Sequence, residues 1–496
     1  MNFVELFRDM EPVQQTLNPT PDDTYILNRT SSENFLFSQN WGPNCPVFHY
    51  SPTTNTAPSK QKPPPAKNGI FFSSDLILPP ESDEFAAVFG GTASGKTAVI
   101  LKNTLFKTWR NSSFCALDIK GDIAPEYEKS GNPRKAVVLS LRKELQWTYD
   151  PLDHVRRGDE EDKIANIEEL VNALIPLPVN VKEPFWISSE RCLVAAGTLF
   201  FYNMGMDFIS IMVTIMTTPP ADLIKAIAES GDEEAKTFIN QFIKKTYDEE
   251  TDTTIITVNC DSKMLVCVGQ GITNKLKIFA TNPRIQRVLA PSDNQVIWDE
   301  LDDYNVFISV PENRLEQYGG ILSMIITQLI RTMERRPDMW TTEGRRCKHT
   351  LIALDEFARL GKMDIIADSV STLRSKKVKF LLLMQSIAQL DRIYGRETRR
   401  VILENMGYIA ILRVNDAESQ RYFSDLVGTR PVERISHTSS IGGDPYSTQT
   451  STSHEPTIRP HEFASLKDIV VVTPDPDDGV VRVEKEFYHD RAAQEL

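Results

Sequence analysis

Gly90, Gly95, Lys96 and Thr97 fall in the spacing G-x-x-x-x-G-K-[ST] within VFGGTASGKTAVI, residues 88–100. That spacing suits phosphate. The glycines let the backbone curl until its N–H groups face inward, and a helix starting at the lysine adds its positive N-terminal dipole. The loop Gly90, Gly91, Thr92, Ala93, Ser94, Gly95, Lys96 and Thr97 would wrap the phosphates of ATP. Lys96 would reach the β and γ groups, and the Thr97 hydroxyl would hold Mg2+. A second constellation is TLIALDEF, residues 350–357, an apolar run followed by Asp355 and Glu356. The run predicts a buried strand with both carboxylates at its C-terminal end, where open α/β sheets carry ligands. There Asp355 can hold the Mg2+ shell, and Glu356 can polarise an attacking water as general base. A glutamate beside the metal acid points to hydrolysis rather than group transfer. The bland alternatives are a structural turn and a strand end with two solvated acids.

Elements must position these side chains. FAAVFGG predicts a strand, SGKTAVILKNTLFKTWR a helix, and SFCALDIKGD and AVVLSL two further strands. This is the βαβ rhythm of a parallel sheet, so the expected fold class is α/β. GIFFSSDLILPP reads as a short strand pair before it. From about Lys163 the pattern turns helical through IANIEELVNALI, the run Trp186 to Met206, PADLIKAIAES, EEAKTFINQFIKKTY and Ser262 to Phe279. TTIITVNC is the one strand candidate there and reads equally as a helix start. Strands return at NVFISVPE, HTLIALDEF, VKFLLLMQS, GYIAILRV and DIVVVT, with a long helix at ILSMIITQLIRTMERR. The expected organisation is a leader with a Pro-rich linker over 1–68, a nucleotide-binding part over 69–160, an all-α insertion over 161–290 and a second nucleotide-binding part over 291–496. The long interval between Thr97 and Asp355 agrees with such an insertion.

The chain has 496 residues, a formal charge of −13 and 41% hydrophobic residues, an ordinary globular composition with room for two or three units. Net acidity argues against a wholly basic nucleic-acid surface but leaves room for a local basic channel. The six cysteines form no C-x-x-C pair and the seven histidines no H-E-x-x-H, which predicts reduced, buried thiols and no zinc site. The opening MNFVELFRDMEP has no basic region and no long apolar run, so it reads as a natural polar start rather than a signal peptide. Cys192 to Met216 is long enough to span a bilayer, but Asn203 and Asp207 inside it predict a buried core helix. A soluble, cytoplasmic protein is expected.

Past the acids the chain runs DEFARLGKMDIIADSVSTLRSKKVKFLLLMQSIAQLDRIYG, residues 355–395. DEF-x-x-LG, a following arginine, QS-x-x-QL and YG, in this order, resemble the type IV secretion coupling proteins (the TraD/TraG/TrwB group). LDIKGD (117–122), PFW (184–186), VGTRPV (427–432), a Ser/Thr-rich loop and RPHEF (459–463) extend the resemblance over about residues 70–490. It implies a RecA-like P-loop NTPase fold with an inserted all-α domain. It also implies a homo-hexamer that hydrolyses ATP and delivers DNA, relaxase-bound DNA or protein to a secretion channel. Arg374 matches the family's arginine finger, which enters the neighbouring subunit's site, and Gln385 a γ-phosphate sensor. Asp118 and Lys120 end a strand expected beside the P-loop strand, lining the same pocket or the subunit boundary. Basic clusters in KKTYDEE and ITNKLK (272–277) would line a central channel.

Departures from the family are specific. Ala93 stands where glycine is frequent, and a positive φ there would strain it. Ile119 replaces a proline. The two N-terminal membrane spans of the family have no counterpart, so attachment to the inner face of the membrane would need a separate anchoring partner. Two other readings stay open: a nucleotide-binding recruitment platform that translocates nothing, and an FtsK/HerA-like motor on double-stranded DNA.

Overall fold

Consecutive apolar residues, rather than alternating ones, mark strands that are buried on both faces. A computed structural model of the protein describes residues 68–142, 147–178, 181–248, 253–258, 262–438, 447–475 and 479–489. The leader and linker expected over 1–68 lie outside these residues, apart from Asn68. The apolar runs assemble into one nine-stranded sheet. Its order is Val480–Val483, Ile469–Val472, Tyr408–Ile411, Ala86–Phe89, Val378–Met384, Thr350–Leu354, Ser113–Asp118, Asn305–Ser309, Ala136–Ser140. Neighbours from Tyr408–Ile411 to Ala136–Ser140 are all parallel. The other two strands close one edge by antiparallel pairing.

Successive residues face opposite layers. Ala87, Phe89, Leu117, Ile352 and Leu382 point into one apolar layer, and Ala86, Val88, Ala116, Leu351 and Leu383 into the other. The second layer is filled by Val99, Ile100, Leu105 and Phe106 of the helix after the P-loop, with Ile123 and Tyr127. The P-loop helix is wound wide, with π-type turns over Lys96–Leu101 and Thr104–Thr108. The first layer is filled by the helix Leu315–Glu334 and by helices of the inserted stretch.

Ala136–Ser140 and Asn305–Ser309 are parallel neighbours, so the helical stretch is one very long crossover between adjacent strands. It includes helices Lys163–Leu174, Pro184–Asn203, Phe208–Thr217, Pro220–Glu229 and Ser262–Thr281. The sequence predicts an all-α insertion over 161–290, but the stretch is not wholly helical. Ile243–Asp248 and Thr253–Val258 form an antiparallel hairpin, and the helix expected through IKKTY stops at Ile239. β-branched threonines and isoleucines favour the pleat there. The apolar stretch from Cys192 to Met216 also departs from the reading as one helix. Gly205 at φ 79° ends the first helix, and Asp207 caps the next by accepting from the Ser210 N–H at 3.0 Å. Among the described residues no single helix is long and apolar enough to cross a membrane. The bent pair Phe208–Thr217 and Pro220–Glu229 meets the length and composition, but its Ile211, Ile215, Ile224 and Ile227 are buried in the core.

Two smaller expectations change. Cys115 is buried, but Cys267 is exposed, against the expectation of buried thiols; Cys45 and Cys260 lie outside the described residues. The Ser/Thr-rich stretch expected as a loop forms paired strands, Thr429–Thr438 with Ser447–Pro456.

One contact ties the inserted helices to the sheet's own helix. A Cβ on Gly320 would lie 2.4 Å from the Leu174 carbonyl oxygen. We predict that Gly320→Ala costs about 1–3 kcal/mol and lowers the thermal midpoint. Gly231→Ala, where nothing lies within 4 Å, leaves it unchanged or slightly higher in the same melt.

Candidate nucleotide site

The P-loop begins pinned to both neighbouring strands. The Gly90 N–H donates to the Met384 carbonyl at 3.1 Å, and the Gly91 N–H to the Arg413 carbonyl at 2.7 Å. A Cβ on Gly90 would meet the Ser94 hydroxyl at 2.4 Å, so the curl closes only on glycine. Ala93 sits at φ 57°, the left-handed value at which the sequence raised its doubt, and Gly95 follows at φ 104°. The backbone turns inward there and delivers Lys96 to the helix start. The Ser94 hydroxyl is buried with no hydrogen-bond partner, as a phosphate-facing donor would be.

The second constellation meets this loop directly. Asp355 and Glu356 follow the strand Thr350–Leu354, and the Thr97 hydroxyl donates to Asp355 Oδ2 at 3.0 Å. Glu356 adopts φ 53°, a left-handed turn that swings its carboxylate back toward Lys96. Lys96 Nζ lies 3.9 Å from Glu356 Oε1 and donates to the Gly90 carbonyl at 2.6 Å. Between the P-loop strand and the acid strand runs Val378–Met384, so Gln385 emerges between the two motifs. Its Nε2 donates to Glu356 Oε2 at 2.8 Å. The helix that follows adds Gln389, the second glutamine of QS-x-x-QL, whose Nε2 donates to Gln385 Oε1 at 3.4 Å.

Electrostatics here are set by enclosure. Burial, with the negative charge of Glu356 added, raises Asp355 to about 6. Burial lowers the Lys96 ammonium, against the pull of both acids. A polyphosphate would complement Lys96, and a divalent cation would complement Asp355 and the Thr97 hydroxyl. The oxygen donors, the unpartnered Ser94 hydroxyl and the glycine cradle fit ATP with Mg2+.

Arg374 is not part of this cluster. It lies before Val378–Met384, at the other end of that strand from Gln385, roughly 20 Å away at about 3.3 Å per residue. Its Nη2 donates to the Asn405 carbonyl at 3.0 Å, its guanidinium lies over the Phe85 ring, and its Nε is buried without a partner. Asp118 and Lys120 need a correction. Two strands, Thr350–Leu354 and Val378–Met384, separate theirs from the P-loop strand, because crossovers do not keep chain order. Asp118 is fully buried and accepts from the Gly121 N–H at 2.7 Å and the Ala124 N–H at 3.2 Å, a cap rather than a ligand group. Lys120 is exposed, with its charge felt at Lys96. In the basic cluster of ITNKLK, Lys275 is ion-paired with Glu190, whereas Lys277 is exposed.

A cleft of about 890 Å3 opens beside the P-loop, lined by Ala93, Ser94, Arg413, Lys485 and Phe487 among others. The last three escaped the sequence reading, since nothing local links positions near 485 to a loop at 90.

The model of the family described as Type IV secretory system Conjugative DNA transfer matches residues 54–493. Protein VirD4 of Rhizobium radiobacter is 24% identical over 424 residues, 82% of this chain and 58% of that protein. Conjugal transfer protein TraG of the same organism is 26% identical over 413 residues, 81% of this chain and 60% of that one. The chain thus spans about three-fifths of the length of these curated relatives. Among solved structures, the unbound bacterial conjugative coupling protein TrwBdeltaN70 matches with a TM-score of 0.65 at 16% identity, covering 86% of this chain and 89% of that one. Plasmid coupling protein TrwB in complex with ADP and Mg2+ matches with a TM-score of 0.63 at 17% identity, over 85% and 89% of the two chains. At this identity the likeness establishes the fold, the RecA-like α/β fold of those proteins.

Substitutions at two positions separate strain from capping. Ala93→Gly stays within about 0.5 kcal/mol of the parent, because relief of the left-handed strain is offset by unfolded-chain entropy, whereas Ala93→Val loses about 1–2 kcal/mol. Asp118→Ala loses about 2 kcal/mol by stranding two amides, while ATP binding measured by calorimetry stays at the parent value.

Proposed function

We infer the function from one premise: the chain belongs to the type IV secretory system conjugative DNA transfer family. The protein is an ATPase that forms a homo-hexamer, recruits DNA, relaxase-bound DNA or a protein substrate, and passes it to the components of a secretion channel. It works on the cytoplasmic side, at the inner face of the membrane. The stretch 161–290 acts as the unit that meets substrate or adaptor, and the flanking parts 69–160 and 291–496 act as the motor. The observation that supports this reading is the convergence of Lys96, Thr97, Asp355, Glu356 and Gln385 at one end of the sheet, with Arg374 at the opposite end.

The chemistry follows from those positions. Lys96 and the P-loop amides hold the β and γ phosphates. Thr97 and Asp355 would hold Mg2+, which when bound neutralises charge on the phosphate oxygens. Glu356 orients the attacking water and takes its proton. Gln385, already bonded to Glu356, senses the γ-phosphate and keeps that carboxylate aimed. Arg374 is too far from its own site to touch the phosphates, so it serves the neighbouring subunit and stabilises transition-state charge there.

The purified protein should hydrolyse ATP in a Mg2+-dependent manner. Glu356→Gln should lower turnover by about 100-fold or more, and Arg374→Ala by about 1,000-fold. Mixing the two inactive variants should restore partial turnover, because some subunit boundaries then carry both intact groups. No recovery on mixing would contradict action in trans, and full activity of Glu356→Gln would remove the glutamate from its role.

A further inference from the structure

The C-terminal segment after the strand Val480–Val483 crosses the P-loop helix as a strap. Glu486 is fixed twice: its carboxylate accepts from the Ser74 N–H at 2.5 Å and the Ser74 hydroxyl at 2.6 Å. Its carbonyl accepts from Asn103 Nδ2 at 2.9 Å, and Asn103 is wholly buried within the P-loop helix region. Tyr488 packs edge-on against Phe106 of the same helix at 5.0 Å, with the Lys107 ammonium 5.5 Å from its ring centroid. Phe487 stands between these two anchors. Glu486 and Tyr488 hold the helix, and Phe487 lines the cleft beside Ala93 and Ser94.

Phe487 keeps 39% of its surface exposed, although both its chain neighbours, Glu486 and Tyr488, are anchored. One ring carbon lies 3.7 Å from where a Cβ on Gly95 would stand, so the ring borders the phosphate loop itself. The cleft it lines holds about 890 Å3, in the range of small-molecule sites. Apolar surface held rigid and open beside a phosphate site suits a flat, heteroaromatic ring.

We propose that Phe487 is the stacking platform for the base of the bound nucleoside triphosphate. This rests on the ATP reading above and assigns the other end of the ligand. The strap holds the ring in place before ligand arrives, so little side-chain entropy is lost on binding. A phenyl face has no hydrogen-bonding edge to read, so it supports adenine and guanine alike.

Calorimetric titration of the full chain with Mg2+ plus ATP, GTP or inorganic tripolyphosphate tests this. Phe487→Ala should weaken both nucleotides about tenfold and leave tripolyphosphate affinity unchanged, while Phe487→Trp keeps parent affinity. A thermal melt accompanies each variant to show the fold intact. If the parent binds ATP and Phe487→Ala binds it equally well, or loses tripolyphosphate to the same degree, the platform is overturned. If the parent binds neither ATP nor tripolyphosphate, the ATP reading itself falls and takes this inference with it.

Discussion

Three ionisable side chains held at the sealed end of a parallel sheet govern this site. Lys96 and Asp355 are nearly inaccessible, and Glu356 is little exposed. Burial disfavours the charge on Lys96 and on Asp355, so neighbours must compensate. The lysine does so with the Gly90 carbonyl and the nearby glutamate, and the aspartate with the Thr97 hydroxyl and an adjacent amide. Such a cluster is poised for a ligand with charge of both signs, phosphate oxygens for the lysine and a cation for the acids. The left-handed backbone at Ala93 and Glu356 belongs to the same constraint. Each turn forces a polar group inward where an extended chain would carry it away.

The sheet order explains how one strand can serve two sites. Val378–Met384 runs between the P-loop strand and the acid strand. Its C-terminal end delivers Gln385 to the local cluster, and the turn before its N-terminal end carries Arg374. All seven of its residues are buried, so it behaves as a rigid bar. In the proposed ring this bar joins the γ-phosphate sensor of one site to the arginine that completes the next.

Legibility in the sequence followed the range of the physics. VFGGTASGKTAVI and TLIALDEF could be read because local composition sets them: glycine where the backbone must curl, an unbroken apolar run where a strand is buried on both faces. The helical crossover was legible through its period. The break near Gly205 and the hairpin at Ile243–Asp248 were not. Each interrupts a helical period with a weaker local signal: Gly205 before the capping Asp207 in one, the β-branched residues of IKKTY and TTIIT in the other.

The sequence by itself determined the chemistry: a phosphate loop, a pair of acids to act with it, and a long helical interruption between them. Only the tertiary structure decided which groups meet. Thr97 and Asp355 are 258 positions apart, and Asn103 and Glu486 are 383 apart. Strand order, which chain order does not encode, put Gln385 between the motifs, removed Asp118 from the pocket and left Arg374 facing away. The same long-range closure laid Glu486–Tyr488 beside the phosphate loop, because only the folded sheet edge brings these residues against Ser74, Asn103 and Phe106.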